Sequence, residues 1–160
     1  MKNKDMDVTS SDLLLIFRLE GEAFALSVSW VHEILDAQPW APVPNSGPFA
    51  PGLINVRGAV VPVIDIRYRL GLPPAGPDLT GRMIVFEHVI DCVSHKLAFN
   101  ADSVEQVIEY DLSSLEPVPP LGTSWPQDCL RGVVRHDEEL VILLETETTF
   151  APPTEPFVAA

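Results

Sequence analysis

His88, Asp91, Cys92 and His95 fall in one short stretch, and all four side-chain types can bind zinc. The same stretch reads as the turn of a hairpin, where Asp and Ser collect because they satisfy backbone groups locally. A turn accounts for these residues without a ligand, so no metal is assigned. Catalysis would need a nucleophile, a base and a group to orient the base. His32, His88, His95 and His136 fall on separate elements, and the chain has neither a G-x-S-x-G elbow nor a glycine loop able to cradle phosphate. His32 adjoins Glu33, but neighbouring side chains in a strand point to opposite faces. The chain is read as a non-enzyme that needs no cofactor.

A different group carries more weight. GLINVRGAVVPVIDIRYRLGLP, Gly52 to Pro73, holds Arg57, Arg67 and Arg69, three of only ten basic residues. Leu53–Val56 and Ala59–Ile64 read as strands joined by a turn at Arg57-Gly58. Asp65, Arg67 and Arg69 read as the start and charged outer face of a short helix over Ile66–Leu72, which Gly71 and Pro73 end. Glu33 can pair with Arg57 from a neighbouring strand.

The elements that position these residues are mainly strands. Leu13–Leu19 and Ala23–Val28 flank a turn at Glu20-Gly21-Glu22, and Val31–Leu35 follows one helical turn at Ser29-Trp30. Arg82–Glu87, Lys96–Ala101, Leu130–Arg135 and Glu139–Glu145 are further strands, while Asp102–Tyr110 fits helix or strand. Sixteen prolines in 160 residues exclude long helices as the main architecture. The net charge of -13 disfavours nucleic acid and anionic membrane. No apolar run reaches the roughly 20 residues of a membrane span, so no direct membrane insertion is expected. The N-terminus lacks a signal-peptide pattern, and two cysteines give no disulfide framework, so a reduced cytoplasmic setting is expected.

The chain also repeats. Residues 23–35 align with residues 96–108 at an offset of 73, and residues 52–65 with residues 132–145 at an offset of 80. The offset changes in the Pro-rich connections, where insertion costs least. Two matches in the same order indicate a duplicated unit of about five short strands, which closes as a small barrel. The repeat is its own control: Glu33 faces Gln106, and Arg57 faces Asp137. An acid and a base stand in the first half alone.

VHEI at Val31–Ile34, GLINVRGAVVPVIDIRYRLGL at Gly52–Leu72, DSVEQV at Asp102–Val107 and GVVRHDEELVILL at Gly132–Leu144 resemble the CheW-like domain family, that of the chemotaxis coupling protein. The resemblance implies a mainly all-β fold of two five-stranded SH3-like barrel lobes with a groove between them and few short helices. It covers residues 13–146, with lobes at 13–80 and 81–146 that can intertwine, a flexible N-terminus at 1–12 and a flexible Pro-rich tail at 147–160. It implies an adaptor that joins the cytoplasmic tip of methyl-accepting chemoreceptors to the regulatory domain of a CheA-type histidine kinase. Such an adaptor is cytoplasmic and joins membrane receptor arrays through its partners. The family's receptor groove would fall on Val31, Glu33, Ile34, Gly52, Asn55, Arg57 and Gly58, with Asp102 and Ser103 from the second lobe. The alternatives are a metal-binding protein, or a small-ligand barrel whose pocket uses Trp30, Phe49 and Val60. Elemental analysis of the purified protein is expected to find no stoichiometric zinc. Zinc near one per chain, lost on changing Cys92 and His95, would contradict the turn reading.

Overall fold

Four tight turns set the strand pattern. Glu20-Gly21, Arg57-Gly58, Asp91-Cys92 and Asp137-Glu138 each hold two successive residues at positive φ. Each pair links strands in direct register, such as Val56 opposite Ala59, and this is the type I′ hairpin geometry. The computed structural model describes residues 11–74, 80–119 and 127–151. Most of the expected N-terminal segment, residues 75–79, residues 120–126 and the tail beyond residue 151 lie outside them.

Eleven strands are seen among the described residues: β1 (Ser11–Leu19), β2 (Glu22–Ser27), β3 (Val31–Asp36), β4 (Ala41–Pro42), β5 (Gly52–Val56), β6 (Ala59–Val63), β7 (Arg82–Ile90), β8 (Val93–Ala101), β9 (Ser103–Asp111), β10 (Leu130–His136) and β11 (Glu139–Leu144). Two short helices, α1 (Ile66–Leu70) and α2 (Thr146–Thr149), follow β6 and β11. The segment that fitted helix or strand is strand β9, whose eight register partners lie on β1. The strands form a first sheet in the order β10-β11-β2-β1-β9 and a second in the order β3-β7-β8-β6-β5-β4.

Sheet membership does not follow a division at residues 80 and 81. The β1–β2 hairpin joins β9–β11 from the second repeat, while the β7–β8 hairpin joins β3–β6 from the first. Under the repeat alignment the two sheets nevertheless have the same order, with β10, β11, β2, β1 and β9 matching β5, β6, β8, β7 and β3. The parallel seams match as well: Leu143 faces Ala25 in one sheet and Val63 faces Ala98 in the other. So do the bulges. Val31 opposite Phe86 and Glu33 opposite Val85 correspond to Val104 opposite Phe17 and Gln106 opposite Ile16. The repeats have exchanged hairpins.

Two glycines show how each sheet takes up the segment along its outer edge. A Cβ at Gly52 would overlap the Trp40 ring and the Ala41 carbonyl beside β4. A Cβ at Gly132 would overlap Leu115 and the Glu116 carbonyl, where Glu116 bridges to Val133. The second sheet thus gains a sixth strand, the two-residue β4, beyond the five expected.

Each sheet has an inner core of its own: Leu14, Ile16, Ala25, Val134 and Leu143 in the first, and Ile54, Val61, Val63, Met83 and Val85 in the second. A third and larger cluster lies between them, built on Phe17, Phe24, Phe86, Phe99 and Phe150. Phe150 sits with its ring centroid 4.1 Å from Phe86 and 5.5 Å from Phe99. The segment from residue 147 is therefore not wholly a loose tail, since α2 delivers Phe150 to the centre. Removing that ring by Phe150→Ala is expected to cost about 3–5 kcal/mol in urea denaturation. A loss below about 1 kcal/mol would mean that the C-terminal segment is peripheral.

Candidate functional site

Arg57 and Gly58 occupy the β5–β6 turn at φ values of 52° and 86°. Asn55 fixes the turn, its Oδ1 accepting the Gly58 N–H at 2.8 Å. The guanidinium of Arg57 reaches Glu33 on β3, with Nη2 donating to Oε1 at 2.9 Å and Nε to the same oxygen at 3.2 Å. The two residues are not on neighbouring strands, as the sequence suggested. β7, β8 and β6 lie between β3 and β5 in the sheet order, so their contact requires the sheet to curl until its flanks meet.

The pair is asymmetric. The Arg57 side chain is 76% exposed and that of Glu33 only 17%. Hydrogen bonds from Arg57 hold the Glu33 carboxyl below its usual range, and the charges of His32 and Lys96 act in the same direction. Glu33 in turn pushes the Arg57 pKa up. An exposed ion pair of this kind adds little to folding. What it does is hold a solvent-facing guanidinium in one place.

The site residues expected from sequence divide into three places. Val31, Glu33, Ile34, Asn55, Arg57 and Gly58 lie on β3 and the β5–β6 hairpin. Val31 and Ile34 are half-buried and pack on the central cluster, linking this surface to the core between the sheets. Gly52 stands at the far end of β5, buried beneath Trp40. Asp102 and Ser103 lie where the chain crosses from β8 to β9. There Asp102 binds the guanidinium of Arg67 and accepts the Glu20 N–H at 2.8 Å.

Arg67 departs from the expected outer face of α1. It is almost fully buried and also pairs with Glu20 at 2.9 Å. Asp65 caps the helix as expected, accepting the Arg67 N–H at 3.0 Å, and burial pushes its carboxyl pKa up. Arg69 donates to the Ala151 carbonyl and lies 5.0 Å from the Phe49 ring centroid. Tyr68 is the residue of α1 that faces solvent. Arg67 turns inward to Glu20 and Asp102, and Arg69 reaches the Ala151 carbonyl. These partners are remote in sequence, so charge pattern alone could not find them.

The rival sites do not assemble. Phe49 is buried in the central cluster, Trp30 packs on His88, and Val60 is 71% exposed on β6, so the three do not line one pocket. His88 and His95 are register partners, while Asp91 and Cys92 form the turn two pairs further on. Among the described residues no three His, Cys, Asp or Glu side chains are gathered as metal ligands. Sequence reasoning missed the exposure of Val60 and the nearness of Lys96 to Glu33. The signal for Lys96 lay in the strand pairing, where it stands two residues from Ala98 and on the same face.

Comparison with known proteins bears on the family and the fold. Residues 13–152 match the CheW-like domain family. The probable chemotaxis protein CheW of Rhizobium etli is 30% identical over 139 residues, covering 86% of each chain. The chemotaxis protein CheW of Thermotoga maritima is 32% identical over 134 residues, covering 84% of each. In three dimensions, the crystal structure of the scaffolding protein TtCheW from Thermoanaerobacter tengcongensis superposes with a TM-score of 0.76. It is 28% identical and the match covers 91% of both chains.

His88 supplies a test of the seam beside the site. It is 4% exposed, its ring centroid is 5.7 Å from that of Trp30, and Nδ1 has no hydrogen-bond partner among the described residues. Burial lowers its pKa from the ordinary 6.5, with His95 adding to the effect and Glu147 opposing it. The unfolded chain therefore takes up the proton first as pH falls. Stability is full above about pH 6.5 and declines as pH drops from there through the folded value. Urea midpoints between pH 8 and pH 5 are expected to fall in the parent and to fall less in His88→Gln. Equal slopes would show that His88 is not the group responsible.

Proposed function

The chain belongs to the CheW-like domain family, and from that premise we propose that it is the coupling adaptor of a chemotaxis signalling assembly. It acts without catalysis or cofactor, on the cytoplasmic side, and reaches membrane receptor arrays through its partners. One partner is the cytoplasmic tip of a methyl-accepting chemoreceptor. The other is the regulatory domain of a CheA-type histidine kinase. The observation that carries the reading is the held guanidinium of Arg57. Glu33 fixes it on a surface next to Val31 and Ile34, and the equivalent positions of the other sheet hold Gln106 and Asp137.

A receptor helix suits this surface. Val31 and Ile34 give a partly exposed apolar strip, and Arg57 gives a charged anchor beside it. Asn55 and Gly58 keep the turn low and free of a bulky side chain. Gly52 serves the surface indirectly, by letting Trp40 pack under β5. Asp102 and Ser103 lie at the β8–β9 crossing, where Asp102 is already engaged with Arg67.

Arg57→Glu tests the reading. It places an acid beside Glu33 and removes the anchor, and affinity for a purified receptor cytoplasmic fragment is expected to fall about 5- to 150-fold. The thermal transition should stay in place and the kinase domain should still bind. Unchanged receptor affinity would remove Arg57 from the site, and a collapsed transition would make it a structural residue.

A further inference from the structure

The two exchanged hairpins differ in length. Matching Phe17 to Phe86 and Ala25 to Ala98 sets the last β1–β2 pair, Leu19 with Glu22, over His88 with His95. Beyond that point β1–β2 turns at once through Glu20-Gly21. The β7–β8 hairpin instead adds two more pairs, Val89 with Ser94 and Ile90 with Val93, before turning at Asp91-Cys92. Among the added residues, Val89 at 59% exposed and Val93 at 55% lie outside the cores. Fold maintenance does not explain them, because the equivalent hairpin does without.

Position gives them a use. β3 covers β7 only from Arg82 to Phe86, so the hairpin runs on past the end of β3 where Val31 lies. Strand alternation puts Val89 on the same face as Glu87 and Val85, and Val85 stands opposite Glu33. Lys96, on that face of β8, acts electrostatically on Glu33. The surface holding Arg57 and Glu33 therefore continues through Lys96 to Val89. Two added pairs lengthen it by roughly 7 Å, more than the 5.4 Å pitch of an α-helix.

We propose that the extended tip of the β7–β8 hairpin is a second contact for the receptor helix docked at Arg57, gripping it about one turn further along through Val89. This rests on the receptor reading above. The occupant is a helix with an acidic and apolar face, because Arg57 and Lys96 are two of the chain's ten basic residues and lie along one surface. A second copy of this chain offers no such helix among its described residues, where the α-helices span only Ile66–Leu70 and Thr146–Thr149. A net charge of -13 on each copy also opposes their association.

Cys92 allows a direct test. It is exposed at the tip, whereas Cys129, the other cysteine, is fully buried, so a thiol-reactive photo-cross-linker labels the tip alone. With a purified receptor cytoplasmic fragment, illumination is expected to yield a cross-link to the fragment that Arg57→Glu abolishes. Deleting Val89, Ile90, Val93 and Ser94 while keeping the Asp91-Cys92 turn should weaken fragment binding about fivefold or more. Fragment binding that Arg57→Glu weakens, without any cross-link at Cys92, overturns the inference and leaves the receptor reading standing. A cross-link to the kinase or to a second copy also overturns it. Failure of the unlabelled protein to bind the fragment overturns both.

Discussion

Phe17 and Phe24 from the first repeat pack with Phe86, Phe99 and Phe150 from the second, and this shared aromatic cluster is what the two sheets stand on. Edge and tilted ring contacts at such separations add to the burial of large apolar surfaces. Because the hairpins have exchanged, neither repeat can finish a sheet alone. The β1–β2 hairpin needs β9 and β11 as neighbours, just as β7–β8 needs β3 and β6. Where the chain crosses between sheets, buried Arg67 holds Glu20 and Asp102. A buried cation between two carboxylates is weak as a source of net stability but selective about geometry, since moving it away from both would leave a buried charge unpaired. The crossing is thereby tied to one arrangement of the sheets.

On this near-symmetric frame the site is made by departures from symmetry. The bulge in β3 has a counterpart in β9, and the β5–β6 turn has one in the β10–β11 turn. The frame supplies equal positions twice, yet only one set holds Glu33 and Arg57. In the other sheet the corresponding ion pairs are rearranged: Arg18 on β1 binds Glu105 at 2.8 Å and Glu139 at 2.7 Å. Those contacts span β9, β1 and β11 and look inward along the sheet, whereas Arg57 looks outward. A duplicated fold thus carries an ion pair that spans three strands in one copy and an exposed, held guanidinium in the other.

Much of this was legible in the sequence. The turns, the strands beside them and the Asp65 cap follow from local chemistry, which acts over a few residues. The repeat was visible as two offsets, and it made the contrast of Glu33 with Gln106 meaningful before any coordinates. The exchange of hairpins was not legible, because strand pairing between residues 16 and 106 or 63 and 98 leaves no local mark. For the same reason Arg67 and Arg69 read as surface charges, since their partners Glu20, Asp102 and Ala151 are distant along the chain. Gly52 was noted for its motif, but its reason, the close approach of Trp40, belongs to packing. The pairing of Glu33 with Arg57 could be guessed from charge, but not that a curled sheet brings them together.

Hydrogen exchange on the full chain, with and without a purified receptor cytoplasmic fragment, tests the central claim most directly. The account predicts added protection over Val31–Leu35 and across the Arg57-Gly58 turn, with the β10–β11 turn at Asp137-Glu138 unchanged. The strands carrying the phenylalanine cluster should already exchange slowly and should not respond. Protection at Asp137-Glu138 with none at Arg57-Gly58 would contradict it, because the receptor would then be reading the copy of the frame that lacks the ion pair.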